Sequence, residues 1–326
     1  MPSEDTSLLG RLEGALGPRY TGFIVVVALT LILLLALAAE AQGVSALRAG
    51  IWPLGLSATI IVYILLVHPF MRRRWQRAIQ SLLPLTPHGA GAAPPRPVSH
   101  RAEWGAMLIG SIVGLVVARD TPDIVGWARV YDEATSALMF ALLAGAIYAS
   151  LSRSRHLAAH LRGGLELNVF DGHLLTPFAQ WGQSLSLVFV GGISVSLIFQ
   201  SYDRLRSVES VVVYGSLVTV ALTLFFMSMW SIHLALAHAQ QAELVRIRRD
   251  LAVARAALRR DRAHEATSAV EDAYLPVVIC GMYEKQVLEA STWPFNPTIV
   301  GRLFASTIAP LGVYVLKLAF GVGGGL

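Results

Sequence analysis

Two histidines, His156 and His160, stand four residues apart in SRSRHLAAHLR. On a helix that spacing puts both imidazoles on one face, the arrangement that grips a metal ion. The intervening residues are Leu157, Ala158 and Ala159, so no carboxylate sits between them as a general base. His173 is the next ligand type along the chain, in the loop that follows. Interfacial side chains account for these histidines more simply, and no metal is expected. His233 and His238 are five apart and do not share a helix face. Cys280 is the one cysteine, which excludes an internal disulfide and a multi-thiolate metal site. It reads as a small packed apolar residue. No glycine-rich phosphate loop, nucleophile elbow or intramembrane carboxylate pair is present. The expectation is no catalytic residue, no cofactor and no enzyme.

The remaining polar groups of interest are charges inside an apolar run, so the runs come next. Of 326 residues 55% are hydrophobic and only 14% charged, with a mean hydropathy of +0.58. Soluble domains carry roughly 25% charged residues. A helix needs roughly 20 apolar residues to cross a bilayer core of about 30 Å. Residues 23–39, 51–70, 104–118, 135–151, 183–200, 211–237 and 298–320 meet or approach that length. The fold class expected is therefore all-α, a polytopic membrane bundle of about seven spans in the cell membrane. The second span reads as ending at His68-Pro69, before MRRRWQR. Spans three and four are short enough to be re-entrant. Residues 152–162 read as an interfacial helix.

Five segments organise the chain: 1–70 with two spans, a proline-rich linker at 71–103, spans three to six at 104–237, a helical anchor at 238–297, and the last span at 298–326. The linker reading rests on Pro84, Pro87, Pro94, Pro95 and Pro97. The sixth span is long and is expected to continue unbroken into the basic helix beyond His238. There Leu244, Ile247, Leu251, Ala254 and Leu258 are spaced 3, 4, 3, 4, a short heptad seam. The seam serves either as packing within the chain or as a subunit contact. A second helical stretch at 266–290 is interrupted by Pro276 and Gly281. Pro294 and Pro297 in TWPFNP act as a hinge into the last span.

With seven spans the loops alternate sides, and 19 basic residues fall on the side of the N-terminus against 5 on the other. The positive-inside rule puts the N-terminus and the anchor in the cytoplasm and the C-terminus outside. Asp120, Asp123, Asp132, Glu133, Asp203 and Glu209 collect on the outer side, where solvated loop charge is the plainer reading. The Arg-rich anchor is accounted for by anionic lipid beside it, and no nucleic-acid partner is expected.

On a helical wheel the last span is two-sided. Thr298, Arg302, Ser306, Ala309, Val313 and Lys317 form a smaller, more polar stripe beside Gly301, Ala305 and Gly312. Val300, Leu303, Phe304, Thr307, Leu311, Tyr314 and Leu318 form the bulky flank. Charges within a span usually face a bundle interior or water. The stripe would then line a pore, one helix per subunit, with Arg302 and Lys317 as cationic rings. Alternatively both charges lie near the ends and snorkel to headgroups. Pro310 is a mid-span kink, either a gate or a bend.

The stretches LELNVFDGHLLTPFAQ and YEKQVLEASTWPFNPTIVGRLFASTIAPLGVYV resemble an uncharacterised prokaryotic multi-pass membrane-protein family with a Trp-Pro-Phe motif before its last span. Asn296 departs from an acidic residue expected there, and Cys280-Gly281 is atypical. In layout alone the chain is similar to the insect odorant and gustatory receptor superfamily of ion channels. That likeness implies a tetramer with a cytoplasmic anchor and a pore-lining last helix. The expected function is a channel-like homo-oligomer. The alternative is a non-conducting sensor or scaffold that docks a soluble partner through 238–290.

Overall fold

The computed structural model describes residues 7–42, 44–82, 99–119, 126–162, 176–199, 208–263 and 267–290, together with 301, 305 and 312. Every regular element among them is helical. In chain order these are α1 (Leu8–Leu16), a 3-10 turn at Gly17–Arg19, α2 (Tyr20–Gln42), α3 (Val44–Leu82) and α4 (His100–Arg119). Then come α5 (Trp127–Arg162), α6 (Thr176–Phe199), α7 (Val208–Ala263) and α8 (Thr267–Glu289). Six helical stretches, those carrying α2 to α7, are long and apolar enough to cross a membrane.

The surface of these helices fits a hydrocarbon solvent. Val26, Leu29, Ile32 and Leu33 of α2 are exposed, as are Leu108, Ile109, Ile112 and Val116 of α4. Each such side chain left in water forgoes roughly 1.5–3 kcal/mol of transfer free energy. A bilayer removes that penalty, which is why so many can face outward.

Helix α6 is the most enclosed of the six. It packs between α3 and α7, and α4 lies along α5. The main core gathers Trp75 of α3, Phe178, Trp181 and Leu185 of α6, and Phe225, Met229 and Ile232 of α7. The indole rings of Trp75 and Trp181 stand 4.9 Å apart, tilted. Two glycines of α4 stand against the α5 backbone. A Cβ on Gly110 would lie 2.8 Å from that of Ala144, and one on Gly114 2.8 Å from the Ala137 Cα. Without a hydrophobic drive between helices in lipid, such close backbone contact supplies the packing energy.

Four sequence expectations need correction. Helix α3 does not stop at His68-Pro69 but runs on to Leu82. Proline has no N–H, so Pro69 leaves the carbonyl of Leu65 without its intrahelical donor. The buried Tyr20 hydroxyl donates to that carbonyl at 3.2 Å. The helix therefore passes through the proline with its backbone satisfied, as spanning helices require. Residues 71–82 consequently belong to α3, and 100–103 to α4, so the 71–103 segment is not all linker. Residues 152–162 are not a separate interfacial helix; α5 continues from the fourth span to Arg162, with no proline to stop it. Pro276 and Gly281 do not interrupt α8. The expected continuation of the sixth span is present as α7, a single helix of 56 residues. Helix α1 was not expected. It begins at Ser7, whose Oγ accepts from the Gly10 amide at 3.2 Å, and it ends at Gly17. The φ of +51° there is one that only glycine adopts without strain.

Candidate functional site

An elongated, partly open cavity of about 570 Å³ lies between α3, α4, α5 and α6, with α1 at one end and α7 at the other. Its lining on α5 extends from Asp132 to Arg153. At 1.5 Å per residue that is roughly 30 Å, close to the thickness of a hydrocarbon core. The middle is apolar, with Ile64, Met107, Met139, Leu142 and Phe189. Tyr63 crosses it and donates to the Val188 carbonyl at 2.8 Å. Its ring lies flat enough against α6 that a Cβ on Gly192 would be 3.5 Å away.

One end of the cavity is closed by a polar cluster built on α1. Ser7, Leu8 and Leu9 line it there, with His68, Glu103 and Arg153. The Leu8 amide donates to Glu103 Oε1 at 2.9 Å. The first N–H groups of a helix lack intrahelical partners and carry the positive end of its dipole, so a carboxylate is the favoured partner. Glu103 is only 3% exposed, which makes this interaction stronger than it would be in water. Arg153 donates to Ser7 Oγ at 3.4 Å. Further along α1, Glu13 Oε2 lies 3.3 Å from His68 Nδ1 and 3.5 Å from Arg72 Nη1. Arg72 also donates to the Gly10 carbonyl at 3.4 Å, and Arg11 bonds His100. Groups from α3, α4 and α5 thus hold α1 against the bundle end. The N-cap Ser7 followed by Leu8, Leu9, Leu12 and Leu16 was the available sequence signal for this helix.

The opposite end is lined by Asp132, Ser136, Ser196, Tyr214 and Ser216. Ser57 and Ser136 share a hydrogen bond of 3.1 Å there. Val113 and Val117 of α4 line the same half and are themselves about half exposed. The cavity therefore reaches the apolar outer surface of the bundle beside α4.

Beyond the bundle, α7 and α8 pack along each other. Gln240 Nε2 donates to the Val287 carbonyl at 2.7 Å, Arg248 Nε to Glu284 at 2.9 Å, and the Tyr283 hydroxyl to Glu243 at 3.3 Å. Burial, and then the Glu243 charge beside it, raise the Tyr283 phenol above its ordinary range. The heptad positions are the covered ones: Ile247 and Leu251 are buried, and Leu244, Ala254 and Leu258 are half-buried. Val287 of α8 is fully buried. A different face of α8 is open, with Tyr274, Leu275, Ile279 and Met282 all exposed.

Of the last-span residues, Thr298, Arg302, Ser306, Ala309, Val313 and Lys317 lie outside the described residues, as do the hinge positions Pro294, Pro297 and Pro310. Gly301, Ala305 and Gly312 are helical; the first two are exposed. The side chains of His156 and His160, and all of His173, also lie outside the description. Among the described residues no group of three potential metal ligands comes together. Comparison with protein-family models, curated proteins and solved structures finds no match.

Proposed function

We propose that this chain is a channel-like membrane protein that assembles as a homo-oligomer, with its last apolar span, 298–320, at the axis. The observation that carries the reading is the open apolar face of α8, Tyr274, Leu275, Ile279 and Met282. It lies on a helical hairpin continuous with a spanning helix, and it is not covered by α7. The charge count places this hairpin in the cytoplasm, where water rather than lipid surrounds it. An apolar face there favours association, and a second copy of the same hairpin is the partner always at hand. Gly301 and Ala305 are exposed, in keeping with a small-residue flank on the last span that meets other copies or a pore. A partner-docking scaffold is the second reading, since the same α8 face would suit a soluble helix.

The test combines mass and flux. Purified protein is expected to be a multimer in detergent and to carry an ion leak in proteoliposomes. A cysteine at Ser306 (Ser306→Cys, in a Cys280→Ser background) should react with an aqueous thiol reagent. A monomer with no flux and an unreactive cysteine rejects the channel. Recovery of one stoichiometric soluble partner, lost in Ile279→Asp, would select the scaffold.

A further inference from the structure

We infer that the cavity between α3, α4, α5 and α6 is a binding site for a single-chain amphiphile, an acyl-type chain with a small hydrogen-bonding head. This goes beyond the channel proposal and stands without it, because every wall of the site belongs to one chain.

The shape argues for a chain-like ligand. A volume of about 570 Å³ falls in the range of roughly 300–1,000 Å³ typical of small-molecule sites. The lining runs over roughly 30 Å of helix rise, so the space is elongated rather than round. The walls along its middle are Met, Leu, Ile and Phe side chains, which offer a hydrocarbon chain dispersion contacts and no hydrogen bonds to replace. Water has few polar partners in that stretch.

Both ends carry polar side chains, Asp132, Ser136, Ser196, Tyr214 and Ser216 at the far one. At the α1 end Ser7, His68, Glu103 and Arg153 supply both donors and acceptors. These are groups a hydroxyl or protonated carboxyl head can join. What orients the ligand is that the far end also borders the outward-facing Val113 and Val117 of α4. A chain dissolved in the bilayer can enter there without crossing water. The head then travels toward α1 and the tail trails toward α4. Gly192 also lines the path, its lack of a side chain leaving room for the Tyr63 ring.

The probe is a diazirine-bearing analogue of hexadecanol, photolysed with the purified full-length protein in lipid nanodiscs, and the labelled peptides are mapped. Labelling is expected at cavity-lining Met139 and Met107 and is expected to fall at least fivefold with excess unlabelled hexadecanol. Gly192→Leu and, separately, Ala146→Phe place bulk in the cavity and should reduce it to a similar extent. Each is checked for native size on a sizing column. Labelling confined to outward positions such as Leu108 and Val26, and indifferent to competitor, overturns the proposal. That mapping is read on the unsubstituted protein, so it decides the matter even if a variant fails to fold. If hexadecane competes as well as hexadecanol, the head assignment at Ser7, His68, Glu103 and Arg153 is overturned. Because the measurement requires no conductance, failure of the channel reading leaves it intact.

Discussion

Tyr20 shows how one side chain decides where a helix ends. Pro69 should have been a stop, and the sequence reading treated it as one. The hydroxyl of Tyr20, 45 positions away in the chain, takes the place of the missing amide at the Leu65 carbonyl. Tyr20→Phe is therefore expected to cost about 1–2 kcal/mol, the penalty for an unsatisfied buried acceptor. In a Pro69→Leu background the amide returns and the cost of Tyr20→Phe should fall toward zero. Reversible unfolding in mixed micelles measures both, and equal costs in the two backgrounds would disprove the pairing. Glu103 is the other decisive residue. Glu103→Ala removes the partner of the Leu8 amide and should release α1, with faster proteolysis near Arg11 and a loss of about 1–3 kcal/mol. Glu103→Gln keeps an acceptor and should retain most protection. Neither contact could be read from spacing, because each joins helices far apart in sequence.

Among the elements, the α4–α5 pair depends on close approach. Gly110 and Gly114 sit where any Cβ would collide with the α5 backbone. Gly114→Val is expected to force the two helices apart and destabilise the fold by about 1–3 kcal/mol. Gly105→Val on the same helix, with open space around it, should have little effect; equal losses would argue against the packing. Gly110 and Gly114 are four apart and so share a helix face, but spacing alone does not say which helix they meet. Likewise the 3, 4, 3, 4 seam on α7 was plain from periodicity. Only the fold shows that α8 of the same chain runs alongside α7, bonded to it through Gln240 and Arg248.

At the scale of the whole molecule, the proposed assembly turns on the α8 face that remains open. Ile279→Asp puts a charge on an exposed position, so it should not unfold the monomer. It is expected to shift the protein toward monomer at equal concentration, read by analytical ultracentrifugation in detergent. A multimer that persists unchanged would place the contact elsewhere. The cavity and the open face are separate features of the molecule, one inside the bundle and one on the hairpin, so each can be lost without the other.

Hydropathy and charge placement in the chain were enough to establish a helical protein with several membrane-length segments and a sixth segment that outruns a bilayer. Those properties follow from local rules: apolar run length, helical period, and the solvation cost of charge. The cavity, the α1 closure and the passage of α3 through Pro69 were decided by tertiary structure alone. A cavity is the space left between helices, and its walls come from six segments whose mutual rotation no single segment encodes. The sequence supplied the surfaces, and packing selected which of them would meet.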